Sequence, residues 1–493
     1  MSNYNRKLEQ PSLLTSILIY FGFYILTFLC TLSQIIQRLE QRKNNRAGYP
    51  PLNSKSRAYG FVYFIYEKVR HAWNYPVSSV PSSVIVLKDR EFNKDKGITN
   101  FRCTDKESKC INLGSYNYLG FAENRGPCTE YAIQAIYKYG ISSGASPLNY
   151  GYCRTNYELD RLIATFLGVE DALSCSMGFA TNSDYLPALL SNECLVLSDE
   201  KNHTSIILGI KISGACVKVF RHNDVGHLEE LLQEGVLSGQ PYERVYKPWK
   251  KMLIIIEGVY SMEGTIAPLP EIIALKKKYK AYLYLDEAHS IGALGKSGRG
   301  VVEYFNCSPK DVDVHMGTYT KSFASAGGYI AGGKDLISYL RKQTLTSKYG
   351  STMSPPVAAQ IIAVLRILLE KNETNIAKKR IEILARNVQY FRRKLNQMGF
   401  ITRGSDDSPV VPVLCYFYSK FTAAILMLMD HKIATVGVGY PATPMLEGRL
   451  RFCISAGHTK EQLDYVLHTF SKIGDKVGLK YSSIPKNDDP IEY

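Results

Sequence analysis

Gly317-Thr318-Tyr319-Thr320-Lys321-Ser322-Phe323 follows the alternating run Val312-Asp313-Val314-His315-Met316 and leads into Ala324-Ser325-Ala326-Gly327-Gly328. A lysine among hydroxyls and glycines, where a strand ends, is poorly explained by solubility. Desolvation lowers a lysine pKa, and the neutral amine can condense with an aldehyde. Thr318 and Thr320 can hydrogen-bond a phosphate, and the small residues let a flat ring approach the backbone. Taken alone, a surface lysine in a turn explains the stretch equally well. The surrounding chain breaks the tie.

Upstream, helix-period segments (Thr129 to Tyr139, Tyr157 to Leu167, Leu228 to Glu234, Glu271 to Tyr279) alternate with short apolar runs. Those runs are Leu195 to Leu197, Val217 to Phe220, Met252 to Ile256 and Tyr282 to Leu285. Val312 to Met316 is a weaker strand because Asp313 and His315 interrupt it. Near-continuous apolar strands separated by helices indicate an α/β fold with a mainly parallel sheet covered on both faces. Ligands of such sheets collect at the carboxyl ends of the strands. Beyond Ser354-Pro355-Pro356 an amphipathic helix over 376–398 precedes the alternating runs 410–416, 433–438 and 449–455, a smaller α+β unit.

Leu13 to Leu32 carries no charge, which is enough length to cross a bilayer as one helix. It is too long for a signal peptide and lacks the polar face of a core helix. Arg6 and Lys7 precede it; Arg38, Arg42, Lys43 and Arg46 follow, so the positive-inside rule puts the body in the cytosol. The expected organisation is a tail (1–12), a transmembrane helix (13–36), a juxtamembrane segment (37–110), a large domain (111–370), a small C-terminal domain (371–480) and a tail (481–493). The aromatic cluster from Tyr59 to Tyr66 suits either a helix at the membrane interface or a spacer. Among 493 residues the net charge is +15, without a dense basic tract or nucleic-acid motif, so membrane or a phosphorylated ligand is the expected partner rather than nucleic acid. The 11 cysteines show no metal-ligand spacing and are expected to be reduced thiols, with no metal.

Three strand ends align. One reads Glu257-Gly258-Val259-Tyr260-Ser261-Met262-Glu263-Gly264, the next Asp286-Glu287-Ala288-His289, and the third approaches Lys321. Acidic, hydroxyl, imidazole and amine groups thus meet at one rim. Pyridoxal phosphate needs a lysine for its aldehyde and a carboxylate that keeps its ring nitrogen protonated. Asp286 alone would suit a helix N-cap. Gly178-Phe179-Ala180-Thr181-Asn182 opens a helix, a place for phosphate. His203, after another strand, could lie flat over a ring or cap a helix. Arg449 and Arg451 share one strand face, which suggests capture of a carboxylate by a guanidinium fork, or an ion pair.

These stretches, with Asn112 to Phe121, Leu275 to Gly300, Asp313 to Gly332 and Tyr440-Pro441-Ala442-Thr443-Pro444, resemble the α-oxoamine synthase family of fold-type I pyridoxal phosphate enzymes over residues 59 to 482. The resemblance implies that Lys321 bonds the cofactor aldehyde, that Asp286 pairs with the ring nitrogen, that His289 lies near the ring phenol oxygen and that His203 stacks. It implies cofactor contacts from Gly178, Phe179, Ser261, Thr318, Thr320 and Ser351, the last toward a neighbouring subunit's site. It implies that Arg451 holds the amino-acid carboxylate with help from Tyr116 and Asn117. Within the family the likeness is to the lysine-bearing branch that condenses L-serine with a long-chain acyl-CoA to 3-ketosphinganine. That branch implies a homologous partner subunit lacking the lysine, small regulatory membrane subunits, and the endoplasmic reticulum membrane. The alternatives are a sister enzyme using glycine or alanine, and a non-catalytic membrane subunit. One stretch departs from the pattern: Pro147 stands where the family has arginine and Asn156 where it has histidine.

Overall fold

The computed structural model describes residues 9–44, 61–62, 64–66, 69–92, 101–241, 245–369, 375–484 and 489–493. Arg6, Lys7, Arg46 and Tyr59 lie outside the described residues. Helix Leu13–Asn44 contains the stretch Leu13–Ile36, long and apolar enough to cross a membrane, with mean hydropathy 2.1. Most of its large side chains are exposed, as lipid-facing residues are, but Ile19 and Phe23 pack against the body. The Phe23 ring centroid is 6.0 Å from those of both Tyr418 and Tyr440.

The stretch 37–110 holds β1 (Val84–Phe92) and most of β2 (Phe101–Asn112), an antiparallel pair whose Ile85, Leu87 and Cys110 form a small core. The central sheet contains β3 (Asp171–Cys175), β4 (Cys194–Asp199), β5 (Cys216–Phe220), β6 (Lys251–Glu257), β7 (Tyr282–Asp286), β8 (Val314–Thr318) and β9 (Gly328–Gly332). Their order is β3-β9-β8-β7-β6-β4-β5. The run from β8 through β7, β6 and β4 to β5 is parallel; β9 is antiparallel to β8 and to β3. Alternate residues feed two separate cores. Leu195, Leu197, Ile254, Ile256, Leu283 and Leu285 face one; Val196, Leu253, Ile255, Tyr284, Val314 and Met316 face the other. Both faces are therefore apolar and covered, which is why these strands carry no polar alternation.

The weak strand is real but displaced: it runs from Val314 through Gly317 to Thr318. Asp313 lies outside it and accepts the Leu283 amide N–H at 2.7 Å, while buried His315 bonds the Pro309 carbonyl through Nε2 at 2.9 Å. Gly317 is needed inside the strand because a Cβ there would fall 2.4 Å from the Tyr329 ring. Strand β9 is not among the runs the sequence marks, because glycines at both ends leave only Tyr329, Ile330 and Ala331 as its apolar residues.

In the C-terminal part, β10 (Val410–Tyr416), β13 (Gly448–Cys453) and β12 (Val436–Val438) form an antiparallel sheet in that order. The run 433–438 is split between two sheets, since β11 (Ile433–Ala434) pairs in parallel with β2 at Ile111 and Asn112. The hairpin β1–β2 is thereby joined to the C-terminal unit.

Candidate functional site

Strands β6, β7 and β8 end level with one another: Glu257 is opposite Asp286, and Asp286 opposite Met316. The chain leaving β8 turns back, and the Lys321 ammonium donates to Thr318 Oγ1 at 3.3 Å. Burial pushes the Lys321 amine down to about 8, against the opposing pull of Asp286 and Glu257. Asp286 is buried; its Oδ1 accepts from the Ala288 amide at 2.9 Å and its Oδ2 from Asn182 Nδ2 at 2.8 Å. Glu257 is also buried, accepts the His203 amide N–H at 2.6 Å, and has its pKa raised by burial and then by Asp286.

Imidazoles flank the lysine. His289 is buried, with Nδ1 2.7 Å from Tyr118 Oη and its ring edge-on to Tyr116 at 5.2 Å. Burial first, then the Lys321 cation, hold His289 well below the usual imidazole range, so it is neutral. His203 caps helix Thr204–Ser213 and is exposed on its outer side. The protein on its inner side lowers its pKa, Asp286 opposing and Lys321 reinforcing. Of the two roles the sequence left open, His203 caps a helix, and it does so from a place at the rim.

Helix Gly178–Leu189 begins against β8. A Cβ on Gly178 would sit 3.2 Å from the Gly327 carbonyl and 3.3 Å from Thr318 Cγ2, so the glycine lets this helix start reach the threonine. Thr320 Oγ1 donates to Thr318 Oγ1 at 3.2 Å, and Phe179 lies edge-on to His203 at 6.1 Å. Free helix N–H groups beside hydroxyls form an anion-binding corner. Ser261 is half-buried in the turn after β6, next to Met262. Ser351 is exposed beyond helix Leu345–Tyr349, and among the described residues no hydrogen bond ties it to this corner.

The two arginines separate sharply. On β13, Arg449 lies opposite Leu414 and Val438, Arg451 opposite Pro412 and Val436. Arg449 is fully buried and saturated: it donates to the carbonyls of Glu447 at 2.9 Å and Met262 at 2.7 Å, and to Glu447 Oε2 at 2.5 Å. Arg451 is 5% exposed; among the described residues its Nε has no hydrogen-bond partner, Nη1 donates to the Met262 sulfur at 3.6 Å, and its Cζ lies 4.7 Å from the Tyr116 ring centroid. A buried guanidinium with open donors is built for an anion. Lys321 Nζ is 5.7 Å from the same ring. Tyr116 stands between two cavities, one of 390 Å³ reaching Asn117, Thr320 and Lys321, the other of 660 Å³ reaching Met262 and Arg451.

Ser205, Tyr118 and Tyr284 complete the site and were not singled out by sequence for it, while Glu257 and Asn182 were quoted only as parts of a strand end and a helix start. Glu257 ended a recognised strand, which was a usable signal; the others emerge only when helices pack. In the atypical stretch, Asn156 Oδ1 accepts from the Cys153 amide at 3.3 Å and Nδ2 donates to the Met353 carbonyl at 3.3 Å, so the asparagine caps helix Arg154–Leu167 and ties it to the 351–353 segment.

The donor set fits pyridoxal phosphate: an amine of lowered pKa for the aldehyde, a buried carboxylate for the ring nitrogen, and a glycine-opened helix start with Thr318 for the phosphate. Known proteins agree. Residues 108–470 match the aminotransferase class I and II family. The chain is 44% identical over 482 residues to serine palmitoyltransferase 2 of Dictyostelium discoideum, covering 96% of each. It is 47% identical to serine palmitoyltransferase 2 of Caenorhabditis elegans, covering 96% of this chain and 85% of the relative. It is 42% identical to long chain base biosynthesis protein 2b of Arabidopsis thaliana, covering 91% of each. A solved structure of SPT with its PLP internal aldimine superposes with a TM-score of 0.75 at 26% identity, covering 87% of this chain and all of that one. The architecture is that of a fold-type I pyridoxal phosphate transferase, and the chain belongs to the class I and II aminotransferase family, in its serine palmitoyltransferase branch.

Proposed function

We propose that this chain is the lysine-bearing catalytic subunit of a serine palmitoyltransferase, condensing L-serine with palmitoyl-CoA or a similar long-chain acyl-CoA to 3-ketosphinganine, with release of CO₂ and CoA. The observation that carries the reading is the open, buried Arg451 set beside Tyr116 and Lys321, an amino-acid carboxylate site next to an amine of lowered pKa. Pyridoxal phosphate, when bound, supplies the electron sink for a carbanion at the serine α-carbon.

The chain's own groups do the rest. Lys321, its pKa lowered to about 8, would hold the cofactor aldehyde through its neutral Nζ and, as a free amine, would take and return a proton at the α-carbon. Asp286 holds the proton on the ring nitrogen. His289, neutral and with Nδ1 committed to Tyr118, leaves Nε2 for the phenol oxygen. His203 covers one face of the ring. Gly178, Phe179, Thr318, Thr320 and Ser261 hold the phosphate, and Ser351 serves a neighbouring subunit's site. Arg451, assisted by Tyr116 and Asn117, fixes the serine carboxylate.

We place a homologous subunit lacking the lysine, and small regulatory membrane subunits, as partners. The proposed organisation keeps 13–36 as a single membrane span, with 111–370 and 371–480 as two domains on the cytosolic face of the endoplasmic reticulum. The Phe23 contact would hold the body against that surface. The test is titration of the bound cofactor's visible absorption with L-serine, glycine and L-alanine. L-Serine is expected to saturate at the lowest concentration; tighter saturation by glycine or alanine would overturn the substrate assignment.

A further inference from the structure

Two buried polar residues, Asn182 and Ser205, join Asp286 to His203, with buried Tyr284 bonded to the first, and their geometry leaves one arrangement of protons. Tyr284 Oη donates to Asn182 Oδ1 at 2.8 Å. Asn182 Nδ2 donates to Asp286 Oδ2 at 2.8 Å and to Ser205 Oγ at 2.9 Å. The carboxylate fixes the amide orientation, since a flipped Asn182 would set its carbonyl oxygen against an anion. Ser205 Oγ, having accepted from Asn182, has its proton left for His203 Nδ1, 2.7 Å away. The Ser205 main-chain N–H also points at Nδ1, at 3.3 Å, and a main-chain amide can only donate. Nδ1 therefore carries no proton.

We infer that Asn182 and Ser205 are positioning residues that lock His203 as the neutral Nε2–H tautomer and couple its orientation to that of Asp286. Protonation of Nδ1 would set two N–H donors head to head and strand the Ser205 hydroxyl. Asn182, Ser205, Asp286 and Tyr284 are each at least nine-tenths buried, so the chain is shielded from competing water. Glu257 holds the main chain of His203 at 2.6 Å, leaving the side chain to the relay. The consequence is that His203 presents one donor, Nε2–H, which makes no hydrogen bond among the described residues. A neutral ring with an outward N–H can cover a cofactor and donate to an oxygen of the bound amino acid without adding a cation beside Lys321. Donation into Nδ1 also polarises that N–H. The inference rests on the proposed reading of the site as one for an amino acid and pyridoxal phosphate.

The experiment uses the full-length holoenzyme with its partner subunit. Ser205→Ala removes the hydroxyl link and leaves Asn182 on Asp286. It should weaken L-serine binding, read from the cofactor's absorption, by roughly 5- to 10-fold, the scale of one hydrogen bond, while pyridoxal phosphate affinity stays within about 2-fold. Asn182→Asp removes both amide donors and places a second carboxyl against Asp286; it should weaken pyridoxal phosphate itself by about 10-fold or more. In ¹⁵N-histidine spectra, the His203 signal, assigned by its loss in His203→Gln, should show Nε2–H in the wild type and a tautomer mixture in Ser205→Ala. A wild-type Nδ1–H or imidazolium pattern would overturn the inference. So would a Ser205→Ala protein with unchanged L-serine affinity and unchanged tautomer. If the wild type gives no response to L-serine, the functional reading fails, and the nitrogen spectra still decide the relay.

Discussion

Arg451→Ala and Arg449→Ala should fail in opposite ways, although the residues are two apart on one strand face. Arg451 gives up little inside the protein: among the described residues it touches the Met262 sulfur, Tyr116 and Cys453, and its Nε has no hydrogen-bond partner. Removing a buried cation with so few partners should leave the fold intact or slightly stabilise it, because the desolvation cost of the charge disappears. The loss falls on the ligand. A charge-assisted contact to an ionised carboxylate is worth about 2–5 kcal/mol, or roughly 30- to 5,000-fold in L-serine affinity. Arg451→Lys should recover little of this, since an ammonium lacks the fork. Arg449 is the reverse case. Its removal would strand two carbonyls and the carboxyl groups of Glu447 and Glu263, the latter 3.7 Å away, for about 3–5 kcal/mol of stability. The assay is spectral titration with L-serine beside thermal unfolding, for all three variants. Unchanged L-serine affinity in Arg451→Ala, or an Arg449→Ala protein that keeps its Tm and loses L-serine, would refute the argument.

Three further outcomes are expected. Covalent capture of pyridoxal phosphate by the apo-protein should speed up as pH rises and level off above about 8, where the Lys321 amine is neutral; a rate still climbing toward 10 would show an ordinary lysine, and Lys321→Ala should capture none. Glu287, buried and with no hydrogen-bond partner for Oε2 among the described residues, has its pKa pushed by burial to about 8. Its folded pKa exceeds the unfolded value near 4.3, so its stabilising effect is complete below that value and is lost as pH rises toward 8; Glu287→Gln should flatten this fall in Tm, and an identical slope in both proteins would contradict it. Protease added outside intact microsomes should digest the body beyond Gln37 and spare a short anchor fragment; a full-length protected body would place it on the other side.

The parts of the site that were legible in the sequence are those that strand ends announce. Asp286, His289 and Lys321 follow apolar runs, and a parallel sheet brings such ends to one rim, so their convergence needed no coordinates. The two arginines could not be told apart that way, because alternation puts Arg449 and Arg451 on one face and only Glu447 and the Met262 carbonyl decide which is satisfied. The Asn182–Ser205 link was hidden for a different reason: it joins the first turns of two helices whose contact depends on tertiary packing. Strand β9 escaped because its apolar run, Tyr329 to Ala331, is only three residues long between two glycines. The pair β1–β2 escaped because the apolar run Val84 to Leu87 is only four residues long and its partner β2 is charged and mostly exposed, and the short β11 that joins it to the C-terminal unit has only two residues.

The most direct measurement is the mass of the product formed by the purified enzyme and its partner subunit from palmitoyl-CoA and L-serine labelled with ¹³C at either end. The account predicts 3-ketosphinganine that keeps the label from serine C3 and loses the label from C1 as CO₂, with no product from Lys321→Ala. A product that retains the C1 label, or one formed from glycine or alanine in preference to L-serine, would contradict it.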